Sequence, residues 1–403
     1  MTDAYQRRSV ARVAEPPRTS VRGSRGSQHF FDSRYLDRNH FRGACTYAAL
    51  DLGTNNCRLL VAEPTFDNFR VVDAFSRTVR LGEGLASVNR LGDEAIARAI
   101  DALKICRAKM DARRVGRARL IATEACRAAI NGQDFIDRVE TETGLLLEVV
   151  DRETEALLAV SGCTGLADPA ATSVVVFDIG GGSTEIVWTS TRKHFEHESN
   201  GPSDAQITYG TERFRAPAVN GISPSTSNRR DNGHCVRAWA SLPLGVVTLA
   251  ERFGGVEVTR DVFTAMVQEV ERQLAPFAWR ARNASRMHGF HLLGTSGTVT
   301  TVAGVHLNLP RYDRRQVDGL WMDDRDVAKV IAFLADCSYA ERVANPCIGT
   351  DRADLVLAGC AILEAIRRAF PSPRLRVADR GLREGILLNM MQEDNVWNRR
   401  PKA

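Results

Sequence analysis

Short apolar runs, each ending near an acidic residue or a glycine, recur along the chain from about Thr46. TYAALDLG closes one such run at Asp51, CRLLVAE provides a second, and residues 69–75 provide a third. Apolar segments of this length, bounded by Gly, Asn or Asp, are typical of β-strands joined by tight turns. The pattern therefore predicts that ordered structure begins near Thr46 with three strands.

A helical period follows these strands. In DEAIARAIDALKICRAKMDARR, the apolar residues Ile96, Ile100 and Leu103 recur at steps of three and four, which places them on one face of a helix. ARLIAT is then strand-like, NGQDFIDRVETETG helical, and LLLEVV strand-like again. This alternation of strands and helices predicts an α/β fold.

The opening pattern is repeated later in the chain. TSVVVFDIGGGSTEIVWTS contains an apolar strand, a glycine turn and a second strand, in the same order as AALDLGTNNCRLLVA. The acids that end the two first strands, Asp51 and Asp178, are 127 positions apart. Such a repeat predicts two related lobes with a cleft between them. We place domain I at 45–165 and domain II at 166–403, with the final helix returning to domain I.

The remaining segments complete the second lobe. Residues 189–234 are rich in Asn, Ser, Pro, Gly and Arg, and we interpret them as an inserted mobile loop. After the loop we predict the strand VRAWASL, a helix at 259–282, the strand HLLGTS, and helices near 323–334 and 351–370. LRVADRGLREGILLNMM then predicts a last strand that leads through glycine into a final helix.

Length and composition fit a globular protein of about two domains. The 403 residues are 44% hydrophobic and 26% charged, far from a disordered composition. No apolar run approaches the roughly 20 residues of a membrane-spanning helix, and Arg7 and Arg8 precede no hydrophobic stretch, so we expect a cytoplasmic protein without a membrane partner. The nine cysteines form no CxxC pair and indicate neither a disulfide framework nor a zinc site.

The net charge of +5 is mild, but it is unevenly placed. It favours an acidic partner without identifying one. Residues 1–44 form an arginine-rich segment that we interpret as a disordered basic arm; a role in holding polyanions or nucleic acid is the alternative. For the protein as a whole we do not expect a nucleic acid partner. The arginines of the arm are Arg7, Arg8, Arg12, Arg18, Arg22, Arg25, Arg34, Arg38 and Arg42.

Two turns that join an acid to small residues are the main candidates for chemistry: DLGTNN and DIGGGST. Turns of this kind offer backbone N–H groups to a phosphate, and the acid can hold a divalent cation. One alone commonly serves only to reverse the chain, whereas two, each between apolar strands, favour a phosphate site. A third element, LLGTSGTVTTVAG, is a strand entering a glycine loop and a helix. The predicted phosphate-binding residues are Asp51, Gly53, Thr54, Asn55, Gly180, Gly181, Gly182, Ser183, Thr184, Gly294, Ser296 and Gly297.

These three segments resemble the two phosphate motifs and the adenosine motif of the actin-like ATPase superfamily. No Walker loop or dinucleotide fingerprint occurs in the sequence. ATEACRAAINGQDF, VVDRETEALLAVSG, SLPLGVVTLAERF, DRADLVLAG and GLREG are more specifically similar to the exopolyphosphatase and guanosine pentaphosphatase family. The resemblance runs from about Tyr47 to Met391, interrupted by 189–234. It implies two actin-like, ribonuclease H-like lobes with mixed sheets flanked by helices, in the family's short two-domain form.

The resemblance also implies roles for individual residues. Glu155 corresponds to the general base on the attacking water, although an arginine that usually follows in the family is replaced here by Leu157. Asp178, a catalytic acid, and Glu185 correspond to the ligands of Mg²⁺ or another divalent cation. Arg127 corresponds to a phosphate-clamping arginine, and Arg80 is a weaker candidate of the same kind. In the closing GLREG motif, Arg383 and Glu384 are left open between a structural and a functional role.

The implied activity is removal of the terminal phosphate from inorganic polyphosphate. Guanosine pentaphosphate is the alternative substrate, because family members with nearly the same motifs divide between the two. A sensor that binds guanosine tetraphosphate or pentaphosphate without hydrolysis is a second alternative, and a kinase on the same scaffold is disfavoured because its acceptor motifs are missing. The short form implies less processive cleavage of long polymers. The sequence leaves a homodimer open.

Overall fold

The computed structural model describes residues 45–191 and 234–397, which form two lobes, each built on one mixed β-sheet. In the first sheet the order is β3-β2-β1-β4-β5. β1, β2 and β3 pair antiparallel, whereas β4 and β5 continue the sheet in parallel. The strands are β1 (Tyr47–Leu52), β2 (Asn56–Pro64), β3 (Phe69–Thr78), β4 (Arg117–Ala122) and β5 (Glu148–Val149), and the helices of this part are α1 (Leu85–Val88), α2 (Asp93–Ala112), α3 (Glu124–Ala128), α4 (Gly132–Thr143) and α5 (Arg152–Cys163).

The second sheet has the order β10-β11-β9-β6-β7-β8. Its strands are β6 (Ser173–Ile179), β7 (Thr184–Thr191), β8 (His234–Leu242), β9 (His291–Thr295), β10 (Trp321–Asp323) and β11 (Arg374–Ala378). The helices of this part are α6 (Val246–Phe253), α7 (Arg260–Arg280), α8 (Gly297–His306), α9 (Arg314–Val317), α10 (Asp324–Asp336), α11 (Tyr339–Ala344), α12 (Val356–Ala369) and α13 (Leu382–Glu393).

The two sheets repeat one topology. β6, β7 and β8 pair antiparallel, as β1, β2 and β3 do, and β9 and β11 run parallel to β6 as β4 and β5 run parallel to β1. Only the short edge strand β10 has no counterpart among the described strands of the first sheet. The predicted α/β fold of two related actin-like lobes is confirmed.

Most predicted elements are present, with differences at their ends. β3 runs three residues beyond the predicted 69–75, and the helix predicted at 351–370 begins only at Val356. LLLEVV forms a two-residue strand, because Leu145 and Leu147 pack into the core outside the ladder. The predicted insertion overlaps the ends of β7 and β8; its residues 192–233, like the arm at 1–44, lie outside the described residues.

Two helices cross between the lobes. α13 packs on one face of the first sheet, where Leu382, Ile386 and Met390 contact β1 and β2. α5 packs on the second sheet through Ala156 and Val160. The two helices also lie directly against each other. The boundary between domains I and II at 165/166 stays a prediction. α5, which precedes that boundary, contributes to the core of the second sheet.

Their crossing depends on glycine. A Cβ atom on Gly385 would overlap the carbonyl oxygen of Leu158, and one on Gly162 would overlap that of Gly381. The backbones of α5 and α13 therefore approach as closely as a missing side chain allows. None of the helices that the described residues form is long and apolar enough to cross a lipid bilayer.

Candidate active site

The two predicted turns meet where the lobes face each other. The β1–β2 turn and the β6–β7 turn are in direct contact: a Cβ on Gly182 would lie 2.7 Å from Thr54 Oγ1, and one on Gly181 would lie 3.2 Å from the Asn55 backbone nitrogen. Gly53 and Ser183 complete the same wall. Together the turns line a cavity of about 130 Å³, called here the inner pocket.

Strand register places the acids of this pocket. Asp51 is the second-last residue of β1 and Asp178 the second-last residue of β6, so they occupy equivalent positions of the two sheets. Their cross-strand neighbours differ, because Asp51 faces Arg58 whereas Asp178 faces Glu185. Burial raises the pKa of Asp51 above its usual range, against the opposing charges of Arg58 and Arg383. Burial, with the negative charges of Glu185 and Asp51, raises the pKa of Asp178 to about 7.

Glu185 is more deeply buried than either aspartate, with 4% of its surface exposed. Ser241 on β8 donates a hydrogen bond of 2.9 Å to its Oε1. Burial raises the pKa of Glu185, while hydrogen bonds from Ser183 and Ser241 act in the opposite direction. The pocket therefore holds a cluster of buried acidic groups, and Arg58 and Arg352 also line it.

Glu155 reaches the same pocket from the first turn of α5. Asp151 caps this helix, accepting a hydrogen bond of 2.7 Å from the Thr154 backbone N–H. Burial raises the pKa of Glu155 well above its usual range, with the charge of Glu185 adding to the effect. Glu155 Oε2 is buried without a well-formed hydrogen bond, although Arg127 Nη2 lies 2.8 Å away. A carboxylate in this state has a raised proton affinity and a lone pair available for water.

Arg127, predicted as a phosphate clamp, contacts carboxylates. It forms ion pairs with Glu155 and Glu124, both at 2.8 Å, and donates 2.7 Å to the Val150 carbonyl. It lines neither the inner pocket nor the larger cleft described below. Its side chain is 14% exposed and is ion-paired with Glu155. The direct contact of Arg127 with substrate stays a prediction.

Two further predicted phosphate ligands lie in the core. Gly294 is inside β9, where a Cβ would come within 2.5 Å of the Phe177 ring, so its missing side chain serves packing. Thr184 is fully buried and donates a hydrogen bond of 2.7 Å to the Leu244 carbonyl. Neither residue lines the inner pocket or the cleft. In this structure their side-chain positions serve packing and a backbone hydrogen bond, and their contact with phosphate stays a prediction.

Ser296 and Gly297 line the inner pocket at the start of α8. Ser296 has a φ of 123°, which is unusual for a residue with a side chain. Its Oγ accepts hydrogen bonds from the backbone N–H groups of Thr298 and Val299, at 3.1 and 3.4 Å. The hydroxyl thus caps the helix, and the strained backbone brings the helix N-terminus to the pocket wall.

A cleft of about 1100 Å³ opens from the inner pocket; Asp51, Asp178 and Arg352 line both. The face of β2 and β3 forms one wall, and the segments around α9 and 379–384 form the other. Burial lowers the pKa of Arg383, and the charge of Arg58 acts in the same direction, so these guanidinium groups are crowded. The arginines of the cleft are Arg58, Arg77, Arg80, Arg98, Arg314, Arg352, Arg380 and Arg383.

Most of these arginines were missed in the sequence. Arg314 donates 2.9 Å to Glu384 and lines the cleft from α9. Arg383, left open, lines it as well. The sequence does contain a pattern that could have identified Arg58, because Arg58 follows Asp51 by seven residues, as Glu185 follows Asp178. The internal repeat therefore marks it as the counterpart of a predicted site residue.

The acidic groups fit a hard divalent cation in their chemistry. Mg²⁺ prefers oxygen ligands, and Asp51, Asp178 and Glu185 supply carboxylates with raised pKa values. Among residues 45–191 and 234–397, however, no three His, Cys, Asp or Glu side chains form a closed metal site. This combination suits Mg²⁺ held by one or two carboxylates together with substrate phosphates and water, which is its usual mode in proteins.

The fold and the site define a two-lobed protein of the actin-like class with an acidic pocket at the base of a basic cleft. A family model described as the Ppx/GppA phosphatase family matches residues 60–201 and 225–394. The chain belongs to this family. The finding agrees with the resemblance carried by the sequence motifs and supports phosphatase activity.

Solved structures that resemble this chain agree with the family match. The chain is 26% identical to a Ppx/GppA family member from Aquifex aeolicus, with a TM-score of 0.62, over 88% of this chain and 99% of that one. An exopolyphosphatase from Cytophaga hutchinsonii is 23% identical, with a TM-score of 0.70, over 86% and 98% of the two chains. The second match supports the fold alone.

Proposed function

We propose that this protein is a cytoplasmic exopolyphosphatase that removes the terminal phosphate of inorganic polyphosphate by Mg²⁺-assisted attack of water. The observation that carries the proposal is the continuity of the carboxylate-lined inner pocket with the arginine-lined cleft. Guanidinium groups bind phosphate oxygens strongly and in fixed geometry. A linear polyanion in the cleft would therefore present its end to the hydrolytic groups.

Glu155 is the general base in this proposal. It orients the attacking water and accepts its proton as the water oxygen bonds to the terminal phosphorus and the bridging P–O bond breaks. Arg127, ion-paired with Glu155, holds the carboxylate in place. The shortened polyphosphate leaves along the cleft.

Phosphate oxygens are positioned by the two turns. The backbone N–H groups of Gly53 and Gly180 close the two turns by donating 2.9 Å to the carbonyls of Asn56 and Ser183. The backbone N–H groups of 54–55 and 181–183 would bind the terminal phosphate, because glycine in the turns lets the main chain approach closely. Asp178 and Glu185 would hold the cation. When bound, Mg²⁺ would neutralise charge on the phosphate oxygens and lower the pKa values of the adjacent carboxylates, including that of Glu155.

Guanosine pentaphosphate is the second candidate substrate. Phe75 and Tyr312 line the cleft and could contact a purine ring. The arginines outnumber these two aromatic side chains along the cleft, and this favours the polymer. A regulator that binds guanosine tetraphosphate or pentaphosphate without hydrolysis would use the same surfaces.

The test is phosphate release from long-chain polyphosphate and from guanosine pentaphosphate, measured with the purified protein and Mg²⁺. We expect release from polyphosphate and a loss of about 10²- to 10⁴-fold in Glu155→Gln, the usual contribution of a general base. Glu153→Gln is the matched control, because Glu153 lies in the same helical turn but lines neither cavity.

Each other outcome selects a different function. Release from guanosine pentaphosphate alone would favour the second substrate. Tight nucleotide binding without release from either compound would favour the regulator. Undiminished release by Glu155→Gln, with Glu153→Gln also active, would exclude Glu155 as the base.

A further inference from the structure

Arg80 forms an ion pair across the two lobes. From the loop after β3, its Nη1 donates 3.0 Å to Asp354 Oδ2 and its Nη2 donates 3.2 Å to Asp354 Oδ1. Asp354 precedes α12 in the second lobe. The paired side chains are 36% and 22% exposed, so the interaction is formed at the surface of the cleft and not in the core.

Both ends of this ion pair are fixed by the backbone around them. Arg80 has a φ of 48°, and its backbone N–H donates 3.0 Å to the Asn55 carbonyl in the first phosphate turn. On the other lobe Arg342, which is only 2% exposed, donates 3.0 Å to the carbonyl of Ala353, next to Asp354. The backbone on both sides of the ion pair is therefore fixed by the fold.

The position of Arg80 in the cleft separates it from the inner arginines. Arg352 lines both the inner pocket and the cleft, whereas Arg80 lines the cleft alone. A substrate confined to the inner pocket would leave the Arg80–Asp354 pair intact. A chain that continues along the cleft would bring phosphate oxygens to the same guanidinium that Asp354 occupies.

A phosphate chain is able to displace Asp354. Partly exposed ion pairs contribute little net free energy, because water screens them. An internal phosphate of the chain has two non-bridging oxygens and one negative charge, so it offers a guanidinium the same bidentate geometry and charge as a carboxylate. Displacement therefore costs little for a chain already bound to the neighbouring arginines.

We propose that Asp354 is a specificity-determining residue: it occupies Arg80 until a long phosphate chain displaces it, and so sets the preference for chain length. The proposal rests on the proposed exopolyphosphatase function, because it assumes that polyphosphate binds in the cleft. It concerns binding beyond the terminal phosphate and leaves the chemistry at Glu155 unchanged.

The experiment is calorimetric titration of long-chain polyphosphate and of tripolyphosphate into protein carrying Glu155→Gln, with and without Asp354→Asn. We expect Asp354→Asn to lower the dissociation constant of the long chain by about 2- to 5-fold, the upper part of the range for a partly exposed ion pair. Tripolyphosphate should change by less than about 2-fold on the same argument.

Glu251→Gln is the matched control. Glu251 Oε1 also bridges the lobes, accepting 2.7 Å from the Gly84 backbone N–H, and its neutralisation changes the net charge equally. It lines neither cavity and releases no arginine, so it should leave both dissociation constants unchanged. Adding Arg80→Gln to Asp354→Asn should abolish the gain, with thermal unfolding used to verify that every variant is folded.

Three results would overturn the proposal: an equal effect of Asp354→Asn on both ligands, the same gain in Glu251→Gln, or a gain that persists without Arg80. Absence of polyphosphate binding would overturn it together with the substrate assignment. Failure of phosphate release in the protein with Glu155 intact, with binding retained, would instead remove the proposed hydrolysis and leave the role of Asp354 standing.

Discussion

At the scale of single residues, Asp178 shows the cost of assembling an acidic pocket. Its pKa of about 7 means that the folded protein holds a proton there at pH values where the unfolded chain does not. The stabilisation that protonated Asp178 provides is fully present below about pH 4, the pKa of an aspartate in the unfolded chain. It is lost as the pH rises through 7. The ionised pocket is therefore a source of instability at neutral pH.

We accordingly expect Asp178→Asn to stabilise the protein at alkaline pH. In chelator at pH 8 the free energy of unfolding should rise by about 1–2 kcal/mol, reduced from the full effect of the pKa shift because the carboxyl borders the open pocket. At pH 4, where aspartate is largely neutral when folded, the difference should be small. Denaturant unfolding at both values tests this, and equal effects at the two pH values would contradict it.

The residues that sequence reasoning found and those it missed differ in their local signals. Asp51, Asp178 and Glu185 stand in or beside glycine turns, which mark them. Arg352 lies in the DRADLVLAG segment and Arg380 directly precedes GLREG, but neither stands in an acid–glycine turn between strands. The closure of the two lobes brings them to one cleft. Long-range assembly of this kind leaves no trace in the spacing of residues along the chain.

At the scale of elements, the crossing of α5 and α13 makes one glycine indispensable. In an isolated helix Gly385→Ala would be favourable by about 1 kcal/mol. Here the added methyl group would overlap the Leu158 carbonyl, which belongs to rigid helix backbone. Close packing then requires the helices to separate.

We expect Gly385→Ala to lower the free energy of unfolding by about 2–4 kcal/mol, at or beyond the upper range for overpacked cores. Gly92→Ala is the control, since its φ of −75° suits alanine and a Cβ there meets nothing within 4 Å. Guanidinium denaturation of both variants provides the measurement. Equal stability of the two would show that the crossing tolerates a side chain.

Element prediction succeeded where a strong period or a glycine turn was present. The helix α2 was predicted within two residues of its end. Both strand–turn–strand units of the repeat were predicted, and their acidic residues occupy equivalent positions in the two sheets. The short elements α9, α11 and β10 were missed, because each spans only three to six residues and shows no period. Their conformation is set by the core they cover.

At the scale of the whole molecule, the cleft brings eight arginines, with six acidic side chains among them, to one surface of a protein whose net charge is only +5. Binding of a long polyanion along this surface should therefore depend strongly on ionic strength, because many cation–phosphate contacts form together. A short substrate in the inner pocket makes fewer of these contacts.

We expect KM for long-chain polyphosphate to rise by at least about 10-fold between 50 and 400 mM KCl, by analogy with polyanion binding to nucleic-acid-binding proteins. KM for tripolyphosphate should rise less. Steady-state phosphate release over this range tests the prediction, with the thermal midpoint as a control for salt effects on the fold. Parallel rises for both substrates would place the long chain outside the arginine-lined surface.

The exchange of helices between the lobes has a consequence for how the molecule is assembled. Part of the cover on the first sheet comes from residues 382–393, which a ribosome synthesises after the strands they cover. Until then, Tyr47, Ala49, Leu60 and Ile121 lack the contacts of α13, and a fragment ending at residue 165 would present apolar surface to other chains. The order of synthesis thus delays completion of the first lobe until the second is made.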